Sequence, residues 1–190
     1  TSHQGRTVQV RSHTSILKEI SQLTSFPDYK GYIHNIGGPT ANFRSEACKK
    51  QGKAGSCSDK MCLFPEPCPS LQDSHADYLE LLKKARSVPG VKKVFIRSGI
   101  RYDYLLSGSD PAVIKNFIHE LTLNHVSGQL KVAPEHVSET VLDLMGKPGI
   151  SGFIEFSKMF SQENRDHNLN QYIIPYFISG HPGSTLKESV

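Results

Sequence analysis

QLKVAPEH, residues 129–136, reads as a strand, and what stands on either side of it decides the architecture. Before it, Asp110 caps a helix with Pro111 at its first position, and Ile114, Phe117, Ile118 and Leu121 form the buried stripe. After it, a helix near 138–145 and another carrying Phe153, Phe156 and Phe160 are separated by Gly146-Lys147-Pro148-Gly149. YIIPYFI (172–178) is the next strand, with Pro175 inside it, so this strand is expected at an edge or at a bulge.

Working outward gives the same alternation. Ser12 opens a helix with Ile16, Ile20 and Leu23 on one face, ending before Phe26-Pro27. GYIHNIGG (31–38) is the first strand and VKKVFIRSG (91–99) the second, with a helix over 73–88 between them that stops at Pro89-Gly90. Four strands separated by helices require a parallel sheet with helices packed outside it, as a barrel or as an open doubly wound sheet. One α/β domain over 1–190 is expected, with a Cys, Lys, Gly and Pro-rich insertion at 39–69 that has no apolar period.

The 190 residues are 37% hydrophobic and 21% charged, as in soluble globular chains, and the net charge of +4 is too small to make nucleic acid or a membrane the default partner. No apolar run approaches the ~18 residues of a membrane span, and a cytoplasmic location is the expectation. Thr1 in place of Met and a capping-box spacing of Thr185 and Glu188 at the other end suggest a piece of a longer polypeptide.

In parallel βα architectures the working residues gather at the carboxyl ends of the strands. That rule selects Ile36-Gly37-Gly38-Pro39-Thr40, Arg97-Ser98-Gly99-Ile100-Arg101, Val132-Ala133-Pro134-Glu135-His136 and 179–185. Glycine there lets backbone approach a ligand; one such corner alone is more often a plain turn, and four on one rim favour a ligand site. Glu135 suits ribose hydroxyls or, more blandly, a helix start. Arg101 suits a carboxylate, and a local pair with Asp103 competes. Lys131 is expected to face the interior with an anionic contact. His136 and His181 stand on the rim, whereas His34, His75, His119 and His167 read as surface or hydrogen-bonded residues. Lys147-Pro148-Gly149 lacks the glycine run of a phosphate loop and reads as a helix stop.

Cys48, Cys57, Cys62 and Cys68, separated by eight, four and five residues, are all the cysteines present. Four thiolates on one loop suit Zn²⁺ or an iron–sulfur cluster, and a structureless loop of ~30 residues needs some staple. Unbound thiols, or pairs oxidised on purification, are the alternatives. With Lys49, Lys50, Lys53 and Lys60 around them, a metal-stapled module contacting RNA or protein is a second functional reading. A barrel enzyme acting on a phosphorylated metabolite is a third.

IGGPTANF, the Cys-rich insertion, VKKVFIRSGIRYD, GQLKVAPEHVS, LDLMGKPG and QYIIPYFISGHPGST together resemble the YgiQ-like family of radical S-adenosylmethionine proteins over nearly the whole chain. The resemblance implies a partial (β/α) TIM-type barrel, truncated at both ends, from an enzyme that reductively cleaves S-adenosylmethionine at a [4Fe–4S] cluster. It also implies an electron donor such as a flavodoxin or ferredoxin, and a substrate the sequence does not name. The family's CxxxCxxC loop is expected just before HQGR (3–6), so this chain alone is expected to be inactive. Gly37 and Gly38 look like the glycine pair that binds the cofactor's methionine end, with Pro39 standing where an acidic residue is common. Glu135 is similar in place to the ribose-holding group, and Ile178, Gly180 and Pro182 to the motif against adenine. Arg101 and Lys131 complete the expected cofactor contacts, and the insertion's cysteines are a separate candidate Zn or second iron–sulfur site.

Overall fold

The computed structural model describes residues 9–37, 42–72 and 74–189. Its elements run α1 (His13–Thr24), β1 (Tyr32–Ile33), α2 (Lys49–Ala54), α3 (Ala76–Arg86), β2 (Lys93–Val94), α4 (Tyr102–Leu106), α5 (Pro111–Asn124), β3 (Gln129–Glu135), α6 (Glu139–Met145), α7 (Ser151–Asp166), β4 (Tyr172–Phe177) and α8 (Leu186–Ser189). The caps follow the sequence. Ser12 accepts from the Ser15 N–H to start α1, Asp110 accepts from the Ala112 N–H to start α5, and the Thr185 N–H donates to Glu188 to close the α8 box. Helices α2 and α4 lie in stretches without apolar periodicity and are additions to the expected order. Among the described residues no helix is long and apolar enough to cross a membrane.

Both strand pairs are parallel, β1 with β2 and β3 with β4. Each therefore needs a helical crossover, which α3 supplies to the first pair and α6–α7 to the second. The helices bury one face of the strands. Ile20, Tyr78, Leu82, Val94, Phe117, Leu121, Leu130, Val132, Phe156 and Phe160 belong to one cluster of nearly inaccessible side chains. On the opposite face Tyr32, Lys93, Lys131, Tyr172 and Tyr176 are exposed. Among the described residues the strands are thus covered on one side only.

The expected continuous wall of strands is not seen; the ladders are two separate pairs, and no closed barrel forms among the described residues. A buried histidine accounts for the gap. The Ile96 N–H donates to the His125 carbonyl at 2.9 Å, and the His125 Nδ1–H donates to the Val94 carbonyl at 2.8 Å. These bonds take up groups on β2 and its continuation that a neighbouring strand would use, so His125 joins α5 to β2 where a β2–β3 ladder would start. The gap narrows further along: a Cβ on Gly99, whose φ is +86°, would come within 3.0 Å of the Lys131 carbonyl. Only glycine meets both demands at that crossing.

Burial pushes the His125 imidazole below its ordinary range, and with Nδ1 donating to Val94 its Nε2 has no hydrogen-bond partner among the described residues. The unfolded chain takes up its proton near pH ~6.5 while the folded chain resists it, so this contribution is whole above that pH and is lost as pH falls below it. Urea unfolding at successive pH values is expected to show stability declining from pH ~7 to ~5. His125→Gln is expected to be less stable by about 1–3 kcal/mol, through the unpaired Val94 carbonyl, and to flatten that decline.

Candidate functional site

Residues at or beside the strand ends join neighbouring corners by hydrogen bonds or close packing, residues 38–40 of the first corner lying outside the described residues. Asn35, just past β1, accepts with its Oδ1 from the Arg97 N–H at 2.8 Å, the Ser98 N–H at 3.1 Å and the Ser98 hydroxyl at 3.2 Å, joining the first corner to the second. Gly99 lies against β3. At the far end the Ile178 N–H donates to the Glu135 carbonyl at 2.6 Å, joining the third corner to the fourth.

Glu135 is the centre of this edge. The β3–β4 register runs regularly to Val132↔Pro175 and then shifts before Glu135↔Phe177. Pro134 and Pro175 have no N–H to give a ladder, so the break falls where two donors are missing. Glu135 takes up the kink with φ +72°, left-handed backbone that costs a residue with a Cβ roughly 1–2 kcal/mol. Its carboxylate is held from below: the Lys147 ammonium donates to Oε1 at 3.2 Å and to the Ala133 carbonyl at 3.0 Å. Lys147 follows Gly146, the left-handed stop of α6, so the helix stop read in the sequence also delivers a charge to the rim. Both side chains are about a quarter exposed, 22% for Lys147 and 25% for Glu135, so the pair faces solvent and the second carboxylate oxygen keeps its acceptor capacity.

Past Ile178, itself 44% exposed, the chain turns through 179–185. Gly180 is open, and a Cβ there meets nothing within 4 Å, while Pro182 is exposed beside it. The glycine that the turn requires is Gly183, at φ +91°, where a Cβ would come within 2.7 Å of Leu144. His136 is buried and accepts the Ser138 N–H at 2.9 Å, and the Ser138 hydroxyl donates to Glu188 at 3.0 Å, which ties α8 to the start of α6. The His181 Nδ1 is buried and has no hydrogen-bond partner among the described residues.

The other expected contacts fall elsewhere. Gly37 follows β1 at the first corner, whereas Gly38 and Pro39 lie outside the described residues. Lys131 is exposed and makes no ion pair among the described residues, roughly 13 Å down the strand from Glu135, in place of the anionic contact expected for it. Arg101 forms the local pair, donating to both oxygens of Asp103 at 2.8 and 2.6 Å with its guanidinium over the Tyr104 ring. Asp103 and Tyr102 line a cleft of ≈ 260 Å³ closed by Leu63 and Pro65 on one side and by Pro148 and Glu155 on the other.

The four cysteines are not gathered: no three of their sulfurs lie within 4.8 Å of one another. Cys62 sits beside Tyr104, and the Cys68 thiol is drawn below its usual range by a Ser70 backbone N–H with Lys60 adding to the effect. Hydrogen bonding from Asn42, 1% exposed, holds the loop instead. Its Nδ2 donates to the Arg101 carbonyl at 2.9 Å, its Oδ1 accepts the Arg101 N–H at 2.8 Å, and its own carbonyl meets His75 Nδ1 at 3.1 Å. Neither Asn35 nor Asn42 was legible as a site residue, because an asparagine that ties two loops bears no local pattern. The sequence around Lys147 marks a helix stop and gives no sign that the ammonium reaches Glu135.

No family model matches the chain. Over all 190 residues it is 52% identical to a UPF0313 protein of Clostridium botulinum (strain Okra / Type B1) and 50% identical to a UPF0313 protein of Clostridium perfringens (strain SM101 / Type A). The chain spans 29% of the length of the first and 28% of the second.

The strain at Glu135 is separable from its charge. Glu135→Gly is expected to unfold in denaturant later than Glu135→Ala by about 1 kcal/mol, since both lose the Lys147 pair and only alanine keeps a Cβ in left-handed backbone.

Proposed function

We propose that this chain holds the nucleoside of S-adenosylmethionine within a longer radical S-adenosylmethionine enzyme, and that the UPF0313 proteins it is similar to are YgiQ-like proteins of that kind. The observation that carries the reading is the corner where Glu135, with a spare carboxylate oxygen, is bonded through its carbonyl to Ile178 and opens onto Gly180. The two strand pairs are then neighbouring parts of a (β/α) barrel wall, and the exposed face carrying Tyr32, Lys131 and Tyr176 looks into its interior.

The residues at the corner fit a nucleoside. Glu135 accepts a ribose hydroxyl on the oxygen that Lys147 leaves free, and the hydrogen bond from the Lys147 ammonium keeps the carboxylate aimed. Ile178 offers an apolar surface to a flat base, and Gly180 leaves room for it because nothing stands where a side chain would project. The strained backbone at Glu135 fixes the direction of the carboxylate before any ligand arrives, so little ordering cost falls on binding. The four cysteines of this chain, separated by eight, four and five residues, do not have the CxxxCxxC spacing of the family's cluster loop, and we assign the cluster's ligands to the remainder of the protein. When bound at a reduced cluster, S-adenosylmethionine supplies a carbon radical able to take hydrogen from a substrate. A flavodoxin or ferredoxin is the electron donor this reading requires.

Equilibrium dialysis of labelled S-adenosylmethionine against the full-length protein tests the assignment. Glu135→Ala is expected to weaken binding by about 10–100-fold, the worth of a hydrogen bond to a charged acceptor. Gly180→Val is expected to abolish it while leaving thermal unfolding unchanged. Unaltered affinity in both variants refutes the placement.

A further inference from the structure

Toward the opposite end of the strands from Glu135, helices α5 and α7 bring three ligating side chains together. His119 Nδ1 lies 2.8 Å from Glu163 Oε2, and His167 Nε2 lies 3.5 Å from the same oxygen. All three donor atoms fall within 4.8 Å of one another. We propose that His119, Glu163 and His167 form a divalent transition-metal site, separate from the rim and independent of the function proposed above.

The spacing suits an ion. Bonds of 2.0–2.2 Å at tetrahedral angles put neighbouring donor atoms about 3.3 Å apart, between the two distances found here. The donor set is two imidazoles and one carboxylate, with His119 and His167 half exposed so that further positions stay open to water. Nitrogen and oxygen donors of this kind suit Zn²⁺ and other late first-row ions, not Ca²⁺ or Mg²⁺.

Burial supplies a second reason. Glu163 is only 9% exposed, with its neighbours Phe160 and Asn164 also buried. Among the described residues no lysine or arginine pairs with it; its only ionic partners are the two histidines. Neighbouring charges are engaged within α7, where Arg165 donates to Gln162 and Gln162 to Asp166. A buried carboxylate needs a compensating positive charge, and a divalent ion held between it and the two imidazoles supplies one.

The frame is already set. Glu163 and His167 stand one turn apart on α7, and the end of that turn is fixed by the Leu169 N–H on the Asn164 carbonyl at 2.8 Å and the Gln171 N–H on Asn164 Oδ1 at 3.1 Å. His119 comes from α5, so a bound ion clamps the two helices that cover β3 and β4. The site lies at the start of β4 and the Glu135 corner at its end, roughly 20 Å away at 3.3 Å per residue.

Titration of the 190-residue chain with Co²⁺, read by visible absorption, tests the site. One equivalent is expected to bind with ligand-field bands and no sulfur charge-transfer band, and Zn²⁺ is expected to displace it and raise the melting temperature. His119→Ala and His167→Ala are each expected to weaken uptake by at least about tenfold, with metal-free melting unchanged; Glu163→Gln, which keeps the shape of the side chain, is expected to do the same. The proposal is overturned by no uptake, by uptake equal to the parent's in these variants, which places the ion at the cysteines or at His13, Asp77 and Glu80, or by a thiolate charge-transfer band alone.

Discussion

Two prolines, one on each strand of a parallel ladder and close to the point where its register shifts, set the geometry of this molecule's working edge. Pro134 on β3 and Pro175 on β4 cannot donate, so the pairing that runs evenly from Gln129↔Tyr172 to Val132↔Pro175 has to break. The break forces Glu135 into left-handed backbone and turns its carbonyl onto the Ile178 N–H. Main-chain constraints therefore tie Glu135 to Ile178, two residues before the open Gly180, before any ligand contributes. Lys147 completes the arrangement from the end of α6, with the charge that keeps the carboxylate oriented.

A second constraint acts between the strand pairs. His125 binds the groups of Val94 and Ile96 that another strand would claim, so α5 is fixed to β2 while β3 approaches only further along, at Gly99. The helices bury one face of both pairs, and the other face stays exposed with tyrosines and lysines on it. Such one-sided covering is unusual for parallel strands, which are ordinarily buried on both faces. It agrees with a chain that spans less than a third of the length of the relatives it matches.

Periodicity made the helices legible. The stripes at Ile114, Phe117, Ile118 and Leu121 and at Phe156 and Phe160 are the buried faces of α5 and α7, and the caps at Ser12 and Asp110 lie where the sequence places them. Pro175 correctly announced an irregular strand paired on one side only. The sequence was silent where long-range hydrogen bonds decide. Nothing near Asn42 reveals that it holds the Cys-rich loop through the backbone of Arg101, and of the four cysteines close in sequence no three bring their sulfurs within 4.8 Å of one another. Conversely His119 and His167, unremarkable singly on their helices, meet only because α5 and α7 pack together around Glu163. Gly38 and Pro39, which the resemblance assigns to the cofactor, lie outside the described residues.

The central claim is that the Glu135 corner receives a nucleoside. A crystal structure of the full-length protein with S-adenosylmethionine bound tests it most directly. The account requires a ribose hydroxyl within hydrogen-bonding distance of the Glu135 carboxylate, with the adenine lying over Ile178 and Gly180. A nucleoside seated away from these residues, or one that meets the rim with Glu135 turned aside, would contradict it.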